Sequence, residues 1–410
     1  MNRLFSVATV LSLAFVNSAN RLHGQAPATP SAAQGQVAAT PVVSPEVHPD
    51  GTVTLRYEAA GAKAVTVTIE GNPKPIALTQ NASGVWETTT TPMTPEFYGY
   101  TFAVDGKRAL DPHNATVRPN LLSPTTVVHV SAASPKPWDR TDIPHGEVAH
   151  ILYRSKLAKI DDGDTGDRDM WIYTPPGYDA KRKDKYPVLY LNHGYSDAAN
   201  GWVEAGQANL ILDSLLHDGK IVPMVVVMPL GYGTMHIVTA GWNRVGNLLF
   251  ENQQAFSDQL LHEIIPMAEA RFNIARDRDH RAIAGLSMGG GHSIYTGLNH
   301  PETFAYVGAF SSAISAPTLP ATRPGVTIDA ATYAAGFATI VPNAKTQQPL
   351  KLFWQSCGTE DGLITVNRAF GLWAKDNLKA KDIKTRDTPG MHTWMVWRDD
   401  LIDFTPLLFR

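Results

Sequence analysis

Five short stretches between residues 51 and 130 alternate apolar with polar residues: GTVTLRYEA (51–59), AVTVTIEG (64–71), GVWETTTTP (84–92), YGYTFAVDG (98–106) and TTVVHV (125–130). A period of two places every second side chain on one face, so each stretch predicts a strand with one buried face. Gly, Pro, Asn and Asp between them supply the turns. Several such strands in so short a span predict a small β-sandwich over residues 44–131.

Past a Pro-containing connection, residues 132–143, the pattern changes for the remaining residues, 144–410. YPVLYLNHG (186–194), IVPMVVVMP (221–229), RAIAGLS (281–287) and LKLFWQSCG (350–358) are apolar runs that end at Gly, Pro or a turn. Runs without alternation suit strands covered on both faces, as in a parallel sheet. Helical periodicity lies between them. Phe256, Leu260, Leu261, Ile264, Ile265, Ala268 and Phe272 share one helical face, with Pro266 as a point of interruption. Strands alternating with helices predict an α/β fold with a mostly parallel sheet, preceded by the sandwich.

Two segments near the start fit neither pattern. Arg3 precedes an apolar stretch from Leu4 to Val16 and then small polar residues, the layout of a secretory signal peptide over residues 1–25. The stretch is too short to span a bilayer. Cleavage after Ala19 or near Ala26 fits equally, and the expected location is secreted or periplasmic. Residues 26–43, rich in Ala, Pro, Gln and Ser, read as a flexible linker. Cys357 is the one cysteine and cannot form an intramolecular disulfide, as suits an exported protein stabilised by packing alone.

Composition narrows the classes. A 410-residue chain that is 43% hydrophobic and 18% charged can bury a large core. A net charge of -3 without a basic run gives no footprint for nucleic acid. No His, Cys and carboxylate cluster has metal-ligand spacing, so neither metal nor cofactor is expected.

The chemistry gathers around RAIAGLSMGGGHS (281–293). G-x-S-x-G between a predicted strand and a predicted helix is the setting of a nucleophile elbow, which presents Ser287 at the carboxyl edge of the sheet. A serine hydroxyl is a weak nucleophile, so a base must take its proton, and in such folds an acid and then a histidine follow in the chain. Downstream, His300 opens a helix-end loop close to the elbow, whereas His392 follows a Pro-Gly turn near the chain end; His392 is the expected base. Glu360 and Asp361 follow a buried strand; Asp361 is the expected acid, with Glu360 in reserve. Asp399 and Asp400 read as surface charges. The oxyanion donors are expected to be the N–H groups of Met288 and of Tyr195, the latter after His193-Gly194, with His193 structural. Trp242 is a candidate aromatic wall for the acyl group of a substrate; Trp202 is either such a wall or part of the core. Trp86, Tyr98 and Tyr100 either stack on sugars or fill the sandwich core, and the sandwich either binds polysaccharide or only docks against the larger part and shapes the entrance to its site.

Two resemblances sharpen these expectations. GVWETTTTPMTPEFYGYTFAVDGKRALDPHN (84–114) resembles the immunoglobulin-like family 48 carbohydrate-binding modules. RDMWIYTPPGYD, YPVLYLNHGYSDAANGW, GQANLILDSLLHDGKIVPMVVVMPLGYG, EIIPMAEARFNIARDRDHRAIAGLSMGGGHS, CGTEDGLI and GMHTWMVWRDDL resemble, in this order, the esterase D-like enzymes of carbohydrate esterase family 1. The second resemblance implies an α/β-hydrolase with Ser287, Asp361 and His392 as its triad. It also implies an ester substrate on plant cell-wall polysaccharide, most simply feruloylated arabinoxylan. Acetylxylan esterase, siderophore esterase and a non-catalytic carbohydrate-binding protein remain as alternatives. A siderophore esterase is expected to carry more basic residues near its site than Arg398 alone.

Overall fold

The computed structural model describes residues 41–160, 163–243, 247–319 and 328–410. The expected signal peptide and most of the expected linker lie outside the described residues. From Val42 to Arg410 the chain forms one compact unit.

The alternating stretches near the start form two antiparallel sheets. One pairs Glu46–Val47, Val53–Glu58, Val85–Thr89 and Thr79–Gln80; the other runs Ile76–Ala77, Val65–Ile69, Glu96–Val104, Thr125–Val130 and Val117–Arg118. Inward residues of both, including Val53, Leu55, Val67, Phe102 and Val128, share one apolar core. Trp86, Tyr98 and Tyr100 belong to that core, at 9%, 6% and 1% exposure. Their polar atoms are also used internally: Trp86 Nε1 donates to Ala59 O at 2.9 Å, and Tyr100 Oη donates to Asp111 Oδ2 at 2.7 Å. This corrects the sugar-stacking alternative for these three rings, which packing has taken out of reach of a polysaccharide.

The rest of the chain is built on eight strands: β1 (Glu147–Arg154), β2 (Asp167–Thr174), β3 (Val188–Asn192), β4 (Val225–Pro229), β5 (Arg281–Leu286), β6 (Tyr306–Phe310), β7 (Leu350–Gly358) and β8 (Ala380–Thr388). They lie in the order β1-β2-β4-β3-β5-β6-β7-β8. β1 and β2 are antiparallel additions, and every pairing from β4 through β8 is parallel. Burial explains why the central runs do not alternate. Val188 and Tyr190 of β3, with Val225 and Val227 of β4, enter one apolar cluster. Leu189 and Leu191, with Val226 and Met228, enter a second. Both faces of the sheet are therefore covered, as a parallel sheet requires.

Helices α1 (Ala208–His217), α2 (Leu248–Gln259), α3 (Met288–Asn299), α4 (Ile364–Asn377) and α5 (Trp394–Phe404) provide much of that cover. The expected interruption at Pro266 takes a definite form. Leu260–Ile264 widen into a π turn directly ahead of Ile265–Arg271, which absorbs the missing donor and the bulk of the ring. Among the described residues, no helix is long and apolar enough to cross a membrane.

Candidate active site

Ser287 stands between β5 and α3 with φ 51° and ψ -114°, a conformation that a side-chain-bearing residue adopts only under constraint. The constraint comes from close packing. A Cβ on Gly289 would lie 2.4 Å from Asn192 O and 2.5 Å from His193 O, and one on Gly285 would lie 2.6 Å from the Gly289 backbone. Ser287 N–H donates to Phe310 O at 2.8 Å, which locks the turn to the end of β6. The two glycines let the chain turn here and leave Oγ at the carboxyl end of the sheet.

His392 lies in the loop between β8 and α5, and its Nε2 is 3.0 Å from Ser287 Oγ. Its Nδ1 is 2.6 Å from Asp361 Oδ2, and the ring meets Trp397 edge-on at 4.9 Å. Asp361 follows β7 and is 2% exposed. Burial pushes its carboxyl up, but the bond and charge of His392 and the Leu363 N–H outweigh this, so it is held below the usual carboxylate range. An ionised acceptor at Nδ1 keeps the proton there and leaves Nε2 free to accept from the serine. Glu360 instead points to solvent, while its N–H donates to Gly390 O at 2.9 Å and ties the acid loop to the histidine loop.

The other histidines of the elbow helix and the neighbouring loops sit elsewhere. His193 is buried; Gly231 N–H donates to its Nε2 and Nδ1 faces Gly194 O, both at 2.8 Å. The first bond requires a bare Nε2, so Nδ1 carries the proton and donates. Burial pulls the ring down to about 4, which keeps it neutral. It thus pins the backbone one residue ahead of Tyr195. His292 stacks on Phe256 at 4.6 Å, fully buried, and His300 pairs with Glu302 at the surface.

Tyr195 follows Gly194, and its Oη donates toward Ile237 O and Gly241 O at 2.8 and 2.6 Å. Met288 is the first residue of α3, so its N–H has no acceptor within the helix. Trp242 is 61% exposed, meets Tyr195 edge-on at 5.3 Å and lines the cleft over Ser287. Trp202 is 0% exposed, donates from Nε1 to Asn192 O at 3.0 Å and packs against Phe310 and Trp394. This removes Trp202 as a substrate wall, because the core holds both faces of its ring.

Two further expectations are corrected. Asp400 is 0% exposed and accepts from Thr388 Oγ1 at 2.8 Å, so it is a core carboxyl, although Asp399 is exposed as expected. Arg398 is also 0% exposed; it does not line the cleft and pairs with Glu96 at 2.9 Å.

The cleft holds about 860 Å³ and is walled partly by residues that no motif singled out: Glu70, Arg118, Asn120 and Asp197. The first three come from the two-sheet region. Asp197 is buried, and desolvation raises its carboxyl to about 7 against the opposing pull of Arg118 and the Asn120 amide. Among the described residues, no group of three or more His, Cys, Asp or Glu could hold a metal ion.

An eight-stranded, mostly parallel sheet with a serine, a histidine and a carboxylate joined at its carboxyl edge defines an α/β-hydrolase-like esterase fold. The Esterase family model, "Putative esterase", matches residues 165–408, and the chain belongs to this family. It is 28% identical over 372 residues to an endo-1,4-beta-xylanase/feruloyl esterase of Xylanibacter ruminicola, covering 89% of this chain and 46% of that protein. The chain thus spans about half the length of that curated relative. Among solved structures, a CE1 ferulic acid esterase of Anaeromyces mucronatus aligns with a TM-score of 0.55 at 22% identity, over 67% of this chain and 96% of the other. An enterochelin esterase of Shigella flexneri aligns with a TM-score of 0.63 at 18% identity, over 88% and 93%. At these identities both likenesses speak to fold.

Proposed function

We propose that the chain is a serine carboxylic-ester hydrolase, most specifically a feruloyl esterase that releases ferulic acid from feruloylated arabinoxylan. The observation that carries this reading is the unbroken hydrogen-bond chain from Asp361 through His392 to Ser287 Oγ. In the first step Oγ attacks the ester carbonyl as His392 Nε2 takes its proton. The tetrahedral oxyanion is met by the N–H groups of Met288 and Tyr195. His392 then protonates the leaving alcohol as the carbon–oxygen bond breaks, which leaves an acyl-serine. Water, deprotonated by His392, attacks that acyl group and releases the acid.

The substrate assignment is supported by the name of the X. ruminicola relative and by Trp242, an exposed ring on the cleft wall suited to a phenolic acyl group. The competing ester is a catecholate siderophore, which would call for unpaired cations. Among the described residues lining the cleft, Arg118 is the one Lys or Arg, and it is paired with Glu70 at 2.8 Å. Export is part of the proposal and rests on the apolar stretch Leu4–Val16.

A panel of methyl ferulate, feruloylated arabinoxylan, acetylated xylan and a catecholate siderophore tests the assignment. Highest kcat/KM is expected on the two ferulate esters. Preference for acetylated xylan or for the siderophore would replace the substrate and keep the mechanism.

A further inference from the structure

Two polar side chains of the two-sheet region reach across to the loops that carry the proposed chemistry. Glu70 follows the strand Val65–Ile69, and its Oε1 accepts from Trp394 N–H at 3.0 Å. Trp394 is the first residue of α5, two positions after His392. Thr393, in the capping position ahead of it, makes no side-chain cap bond, so the carboxylate of residue 70 takes that place from outside the helix. The other oxygen, Oε2, accepts from Arg118 Nη1 at 2.8 Å and from Gly99 N–H at 3.0 Å, which fixes the carboxylate within its own sheet. The Glu70 side chain is 10% exposed and that of Arg118 is 14%.

Two residues past Arg118, Asn120 Nδ2 donates to Ser196 Oγ and to Asp197 Oδ1, both at 3.0 Å, and Leu121 N–H donates to Ser196 O at 2.7 Å. Ser196 directly follows Tyr195 and holds φ 71°, a left-handed conformation that serine does not favour unaided. The bonds from Asn120 and Leu121 hold it there. The two grips therefore fall on the histidine loop and on the loop of the proposed oxyanion donor.

We propose that Glu70 and Asn120 are positioning residues for acyl transfer: from the two-sheet region they hold the His392 loop and the Tyr195 loop in register with Ser287. This rests on the esterase reading given above. It assigns the two-sheet region a part in turnover that does not require it to bind polysaccharide.

The test uses the full chain with Glu70→Ala, Glu70→Gln and Asn120→Ala. kcat and KM are measured on 4-nitrophenyl acetate and on methyl ferulate, with Tm alongside. Misplaced catalytic groups lower kcat whatever the ester, so both alanine variants are expected to lose about tenfold or more in kcat on both substrates. KM should stay within about twofold. Glu70→Gln keeps an oxygen acceptor for the Trp394 N–H but turns an amide NH2 towards Arg118 and the Gly99 N–H, so it should recover only part of the loss. Unchanged kcat in folded variants would overturn the proposal. So would a rise in KM confined to methyl ferulate, which would make these residues substrate contacts. Asn120→Ala removes no charge and decides the matter if Glu70→Ala fails to fold. A wild-type chain inactive on both esters would overturn the esterase reading itself, a result distinct from either of these.

Discussion

The glycines at 285 and 289 show how a three-letter motif becomes geometry: each lies where a Cβ would strike backbone, and the serine between them is forced to φ 51°. That is why Ser287 was readable from local sequence. His392 was readable too, since chain order and a Pro-Gly turn sufficed to single it out. The choice between Glu360 and Asp361 was not, because neighbouring residues of one loop differ only in which way the backbone turns them. Trp202 and Trp242 illustrate the same limit: both are tryptophans beside small residues, yet one is sealed in the core and the other is 61% exposed. Trp242→Ala should lower kcat/KM on methyl ferulate by roughly three- to tenfold more than on 4-nitrophenyl acetate, as expected for loss of one aromatic contact. Equal losses on both esters would remove Trp242 from the acyl pocket.

At the level of strands and helices, the apolar runs β3, β4, β5 and β7 were legible because burial on both faces leaves an unbroken signal. β1 and β8 were not, for they lie at the sheet edges and more than half of their residues are exposed. The junction of β8 with α5 holds a second surprise, the buried carboxyl of Asp400. Burial raises it to about 7, against the hydrogen bond from Thr388, whereas the ordinary value is 3.8. Between those two pH values the unfolded chain gives up this proton and the folded chain keeps it, so this group lowers stability progressively as pH rises from about 4 to 7. Asp400→Asn cannot ionise and can still accept from Thr388. Urea unfolding should find it more stable than the parent at pH 8, by on the order of 2–4 kcal/mol, with the gain vanishing near pH 4. A gain of the same size at both pH values would exclude ionisation as its cause.

Across the whole molecule, the part least visible in the sequence is the contact between the two-sheet region and the large sheet. Arg398, which read as a basic residue near the site, is buried and donates to Glu96 and to Phe97 O of the other region. Glu70 and Asn120 sit in turns whose composition says only that the chain reverses there. Their partners lie 324 and 77 residues away in the chain. No periodicity encodes such pairings, because each depends on the final docking of two separately patterned parts.

Acyl transfer by this chain requires Ser287 to be a nucleophile served by His392. Incubation with a fluorophosphonate probe, followed by peptide mass spectrometry, addresses this directly. A single adduct on Ser287 is expected, absent in Ser287→Ala and slowed by about a hundredfold or more in His392→Ala. Labelling elsewhere, or none in a folded wild-type chain, would contradict the account.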